Sequence, residues 1–101
     1  MRERNIERTC CAYAEKQGWW HRKFKSPGRR SAPDRIFAKE GVVFFVEFKA
    51  PGKDATPLQK SEHAAMRCHG LIVKVIDEKA AFKRLLQEMQ DQIDQQNADT
   101  F

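Results

Sequence analysis

The sequence predicts an α/β domain: a small mixed sheet of four strands flanked by helices, in the order helix, three strands, helix, strand, helix. Three observations carry this reading. Apolar residues recur at helical spacing near both ends of the chain, across 3–17 and again from Phe82 to Ile93. Between them lie short runs rich in β-branched and aromatic residues, the longest being VVFFVEF at 42–48. A second helix, with its own start and stop signals, stands between the third and fourth of these runs.

Helix one is expected over 3–17. Ile6, Cys10, Tyr13 and Gln17 mark one stripe, Glu7, Cys10, Cys11 and Ala14 another, and Gly18 is the stop. WWHRKFK, 19–25, alternates as a strand would, with Trp19 and Trp20 read as core plus sheet edge. SPGRRSAP, 26–33, is a turn-rich loop, and Ala32 before proline is biased to extended geometry. DRIFAKEGVVFFVEFKA reads as a hairpin with strands at 34–38 and 42–49, Gly41 being free to take positive φ between them. Thr56 and Pro57 open helix two as N-cap and first helical residue, and Gly70 closes it. LIVKVI, 71–76, is the fourth strand. Asp77 can cap a last helix whose apolar stripe is Phe82, Leu85, Leu86, Met89 and Ile93. Residues 1–90 form one domain in this reading, and the polar, Gln-rich segment 91–101 is a tail expected to fray.

Charge is unevenly spread. The chain has 101 residues, 33% of them charged, against about 25% in typical globular domains. Residues 1–35 carry ten Lys/Arg against four Asp/Glu, while the rest carries nine against ten. HRKFK and PGRR suggest a phosphate-facing surface built from Arg22, Lys23, Lys25, Arg29 and Arg30, with Arg35 and Lys53 nearby. The plainer alternative is solvated charge kept for solubility. Cys10, Cys11 and Cys68 are odd in number and two are adjacent, so no disulfide framework is expected. With no apolar leader and no membrane-length run, the expectation is an intracellular, cytoplasmic protein.

The run VVFFVEFKAPGK poses a chemical question, because its apolar strand carries Glu47 and Lys49 two positions apart. Residues two apart share a face, so Phe44, Val46 and Phe48 point one way and Glu47 and Lys49 the other. A loop centred between Glu40 and Gly41 pairs residues whose numbers sum to 81, which sets Asp34 opposite Glu47 on the same face. Two carboxylates so close repel one another. A divalent cation relieves the conflict, and hard oxygen ligands suit Mg²⁺ or Mn²⁺. Such an ion activates water and stabilises charge on a phosphodiester. The alternative is a salt-bridged, solvent-facing Glu-x-Lys pair.

PDR followed by VVFFVEFKAPG resembles the PD-(D/E)xK nuclease superfamily, and more narrowly the VRR-NUC domain in its small stand-alone form, often viral. The resemblance covers about residues 5–85 and rests on Glu7 in helix one, Pro33-Asp34, Glu47-x-Lys49-x-Pro51 and Gln59 opening helix two. One departure is RSAPD, where many members have glycine shortly before the Pro-Asp pair. The resemblance implies a restriction-endonuclease-like core in αβββαβα order. It implies Asp34 and Glu47 as metal ligands, the Phe48 carbonyl as a backbone ligand, and Glu7 as a further ligand, direct or through water. Lys49 would act on the nucleophile and Gln59 would position Lys49 or a water. Thr56-x-x-Gln59 is equally a capping-box pattern, and Glu7 could pair with Arg4. His21, His63 and His69 show no zinc-type spacing and read as surface or core histidines. The activity implied is a Mg²⁺- or Mn²⁺-dependent endodeoxyribonuclease, of Holliday-junction-resolving type, acting as a homodimer on four-way DNA with no small-molecule cofactor. A general or flap-type nuclease, a non-catalytic DNA-binding module on the same fold, and a small partner-binding protein are the alternatives.

Overall fold

The computed structural model describes residues 2–28 and 31–99, the side chain of residue 99 excepted. Its elements are α1 (Glu3–Lys16), β1 (Trp20–Lys23), β2 (Arg35–Lys39), β3 (Val42–Phe48), α2 (Pro57–Cys68), β4 (Ile72–Ile76) and α3 (Lys79–Asp99). The strands lie in the order β1-β2-β3-β4. The first two pairings are antiparallel and β3 runs parallel to β4, so the sheet is mixed, with α2 as the crossover.

The hairpin fixes the register. Glu40 and Gly41 both have positive φ, 45° and 86°. This is the two-residue primed turn, whose twist matches that of the strands it joins. It produces Arg35↔Val46, Phe37↔Phe44 and Lys39↔Val42, the series whose numbers sum to 81. One step further along that series stands Asp34 against Glu47.

One face of the sheet carries the main core. Phe37 and Phe44 stack with centroids 5.0 Å apart, and Phe82 of α3 lies 5.3 Å from Phe37. Ile6, Cys10 and Ala14 of α1 and Leu85, Leu86, Met89 and Ile93 of α3 close over them. Each large apolar side chain buried here is worth about 1.5–3 kcal/mol relative to exposure. β1 begins one residue later than the pattern suggests because Trp19 is drawn into this core, edge-on to Phe44 at 5.3 Å.

Two further differences have physical reasons. Asp77 does not cap α3, which begins at Lys79; its Oδ2 instead accepts the Gly52 N–H at 3.0 Å and anchors the turn after β3. α3 also continues to Asp99, through most of the segment expected to be a frayed tail. Ile93 is buried there, and Gln87 and Gln90 donate to Asp91 and Asp94 one turn on. The Lys39 ammonium ties the helix to the sheet by donating to Gln90 Oε1 and the Gln17 carbonyl, both at 2.8 Å. Among the described residues no helix is long and apolar enough to cross a membrane.

Candidate metal centre

The second face of the sheet holds Asp34 and Glu47. Val43, Phe45 and Glu47 alternate away from the main core. Glu47 is 2% exposed, and His63 of α2 lies against it. Asp34 sits just before β2, and its Oδ2 accepts the Phe48 N–H at 2.7 Å. The side chain thus takes the ladder position that β2 backbone vacates, which pins it beside Glu47. Glu3, in the first turn of α1, completes the group: oxygens of Glu3, Asp34 and Glu47 all lie within 4.8 Å of one another. The Lys49 ammonium is 4.0 Å from Glu47 Oε2.

The helix carboxylate differs from the expected one. Glu7 accepts from Arg35 Nε at 2.6 Å. Arg35 pairs across the sheet with Val46, so it faces α1, and Glu7 lies above it. This charge-assisted bond engages Glu7, and Glu3, one turn earlier, closes the acidic group. Arg35, expected at the DNA surface, is mostly buried in that pair.

Electrostatics favour a bound cation. Burial pushes the Glu47 carboxyl up to about 8; the Asp34 charge and a hydrogen bond shared with Asp34 add to this, while Lys49 pulls down. Asp34 is raised chiefly by burial, offset in part by the Phe48 N–H. Glu3 is raised by burial and then by the Asp34 charge. All three acids are crowded in the same sense, and Glu47 Oε1 is buried without a hydrogen-bond partner. Three crowded carboxyl groups, hard oxygen donors whose charged forms a cation would stabilise together, fit Mg²⁺ or Mn²⁺.

α2 brings two more polar groups. The capping box forms: Gln59 Oε1 accepts the Thr56 N–H at 2.9 Å and the Gln59 N–H donates to Thr56 Oγ1. Among the described residues no hydrogen bond joins Gln59 to Lys49. His63, four residues on and so on the same helix face, is 1% exposed. Its Nε2 lies 3.7 Å from Glu47 Oε1, and neither atom has a hydrogen-bond partner. Burial, then the Arg67 charge, lowers its affinity for a proton. The signal in the sequence was the i, i+4 spacing from Gln59.

The chain is 45% identical over 78 residues to "Putative nuclease p44" of Acyrthosiphon pisum secondary endosymbiont phage 1, a match spanning 76% of this chain and 84% of that one. A solved structure described as a VRR_NUC domain superposes with a TM-score of 0.77 at 29% identity, over 84% of this chain and 94% of that one. The chain belongs to the VRR-NUC nuclease family. No family model matches it.

The basic residues of this VRR-NUC nuclease divide between its faces. Arg22 lies over the Trp20 ring at 4.7 Å and donates to the His21 carbonyl. Lys23 and Lys25 line a cavity of about 320 Å³ with Glu7, Phe24 and Asp34. Lys53 is exposed in the turn that follows Lys49. Arg29 and Arg30 lie outside the described residues. Cys10 and Cys11 are buried, their thiols pushed up to about 12 and about 11 chiefly by burial, which makes them packing groups rather than nucleophiles.

Proposed function

We propose that this nuclease is a divalent-metal-dependent endonuclease that hydrolyses DNA phosphodiesters inside the cell, in the cytoplasm, acting as a homodimer on branched DNA. The observation that carries the chemistry is the convergence of Glu3, Asp34 and Glu47 beside Lys49. Asp34, Glu47 and Glu3 would hold Mg²⁺ or Mn²⁺, with the Phe48 carbonyl as backbone ligand, and Glu7, engaged by Arg35, would reach the ion only through a water. When bound, the ion lowers the pKa of a water and offsets charge at the phosphate. The water oxygen would attack phosphorus as it gives up a proton to Lys49 or to solvent, the phosphorus–oxygen ester bond would break, and the departing oxygen would take up a proton from solvent. Lys49 orients or deprotonates that water and offsets the charge of the pentavalent transition state. The Gly52–Asp77 bond steadies the turn just beyond Lys49. Gln59 acts here through its cap, which sets where α2 begins and so where His63 stands.

Support for the homodimer comes from the uncovered end of the second sheet face. Trp20, Ala38 and Val43 are cross-strand neighbours there, with Trp20 47% and Val43 41% exposed. A two-fold partner would cover this row and set two sites against two strands of a four-way junction. The test is cleavage of a four-way junction, a flap and a blunt duplex with Mg²⁺ or Mn²⁺. Paired symmetric incisions in the junction, stopped by EDTA and absent in Glu47→Gln, are expected. Equal cutting of linear duplex would make this a general nuclease, and metal-independent binding without cutting would make it a DNA-binding module.

A further inference from the structure

Two cavities adjoin beside the acidic group. The first, about 320 Å³, opens at Asp34 and is lined by Lys23, Phe24 and Lys25. The second, about 380 Å³, lies between α1 and the β1–β2 pair and is lined by Arg4, Arg8, His21 and Arg35. Glu7 and Lys23 line both, so the two form one trough. Strand register gives its direction. Lys23 pairs with Arg35 at the acidic end, whereas His21 pairs with Phe37 two residues further away. The far end is closed by His21 Nε2 against Glu15 Oε1 at 2.9 Å.

The charges along the trough fall into two kinds. Arg35 is neutralised by Glu7, and Glu15 is engaged by His21. Arg4, Arg8, Lys23 and Lys25 have no hydrogen bond or ion pair to their side chains among the described residues. Four unengaged cations therefore line a channel that begins at the candidate metal centre. Arg22, by contrast, pairs with Ile36 and so points to the opposite face of the sheet. Arg4 and Arg8 escape a reading of HRKFK and PGRR because they sit in helix one, where one-turn spacing puts both on a single flank.

We infer that the trough between α1 and β1 is the track for one DNA strand leading away from the scissile phosphate, with Arg4, Arg8, Lys23 and Lys25 on its phosphates. This rests on the nuclease reading of the acidic site and adds to it the path of the substrate. A trough walled by a helix on one side and an edge strand on the other takes a single strand that has left its duplex. The expected substrate therefore offers an unpaired or branch-point strand next to the cut. Phosphate contact makes binding salt-dependent, each lost contact removing roughly 0.7–0.9 from the slope of log affinity against log salt.

The experiment measures fluorescence anisotropy of the Glu47→Gln protein, which does not cut, with labelled four-way junction, single strand and blunt duplex across a salt series. Added substitutions are Arg4→Ala with Arg8→Ala, and separately Arg84→Ala, which removes an exposed charge on α3 beside β4, at the sheet edge opposite β1. The paired change is expected to weaken junction and single-strand binding about tenfold or more at low salt and to flatten the slope by about 1.5. Blunt duplex should change less, and Arg84→Ala should change each by less than about twofold. Equal effects of the paired change and Arg84→Ala overturn the track. An equal loss on all three DNAs overturns the single-strand assignment. Metal-dependent cutting by the unsubstituted protein is measured alongside. If that cutting fails while the paired change still loses affinity, the nuclease mechanism falls and the track stands.

Discussion

The two faces of this sheet use the same strand for opposite ends. On one face Phe44, Val46 and Phe48 are fully buried against α1 and α3, in contact with apolar neighbours. On the other, Glu47 is almost as buried, yet one of its oxygens has no hydrogen-bond partner. Burial on the first face lowers the free energy of the fold. Burial on the second raises that of the metal-free protein, since a carboxyl out of water and beside another acid is destabilised. The second face is tolerated because the first supplies the stability, and its strain is what a cation would relieve.

The largest expected contrast separates the faces directly. Phe44→Ala should destabilise the fold by about 3–5 kcal/mol, seen as a large drop in the midpoint of urea unfolding. Glu47→Gln should leave that midpoint unchanged or higher at pH 8 while cutting activity falls by about a thousandfold or more. Loss of stability in Glu47→Gln comparable to that of Phe44→Ala would show that Glu47 is a structural residue.

The faces were also unequally legible. Asp34, Glu47 and Lys49 could be placed from the sequence because a two-residue turn and a period of two leave one register that buries Phe44, Val46 and Phe48. The helix acid could not. Glu3 and Glu7 are one turn apart on the same flank of α1, so periodicity cannot choose between them. The choice depends on Arg35, whose pairing with Val46 turns it under α1 to meet Glu7. His63 was hidden for a similar reason: its helix position was readable, but the approach to Glu47 depends on how α2 lies across the sheet. The end of α3 was misread because its composition is polar although its apolar period runs on to Ile93.

A smaller effect is expected at the join between α2 and the acids. His63→Ala should weaken Mn²⁺ binding about 10–100-fold, measured by titration calorimetry, because it removes a side chain that stands 3.7 Å from the buried Glu47 Oε1. His63→Gln, which keeps a donor, should recover part of that affinity. A His63→Ala protein that loses stability but binds Mn²⁺ as before would assign the histidine to packing alone.

Next in size is the pH dependence of stability. The Glu47 carboxyl holds its proton to about 8 in the folded chain, against 4.5 ordinarily. The folded state thus binds a proton that the unfolded state has released, and metal-free stability falls as pH rises between these values. His63, whose proton affinity is lowered, works in the opposite sense, but its contribution is complete above about pH 6.5. The buried thiols of Cys10 and Cys11 enter only nearer 9. From pH 7 to 8 the chain should therefore lose about 1 kcal/mol, read from unfolding midpoints in chelator. Glu47→Gln should lose much less over that interval.

The smallest expected change lies at the turn that sets the faces. Glu40 holds φ at 45° although it has a Cβ, and Gly41 follows at 86° in open space. Left-handed geometry costs such a residue about 1–2 kcal/mol, and asparagine less because its side chain bonds locally. Glu40→Asn should then stabilise the fold by about 0.5–1 kcal/mol, raising the thermal midpoint by a few degrees with cleavage unchanged. Inserting one residue between Glu40 and Gly41 tests the same link from the other side. It allows a one-residue slip of β2 that turns Asp34 away from Glu47 and carries Phe37 out of the core with it, so metal binding and stability should fall together. Retained Mn²⁺ affinity in the insertion would mean that the Asp34–Phe48 hydrogen bond, rather than the turn, sets the register.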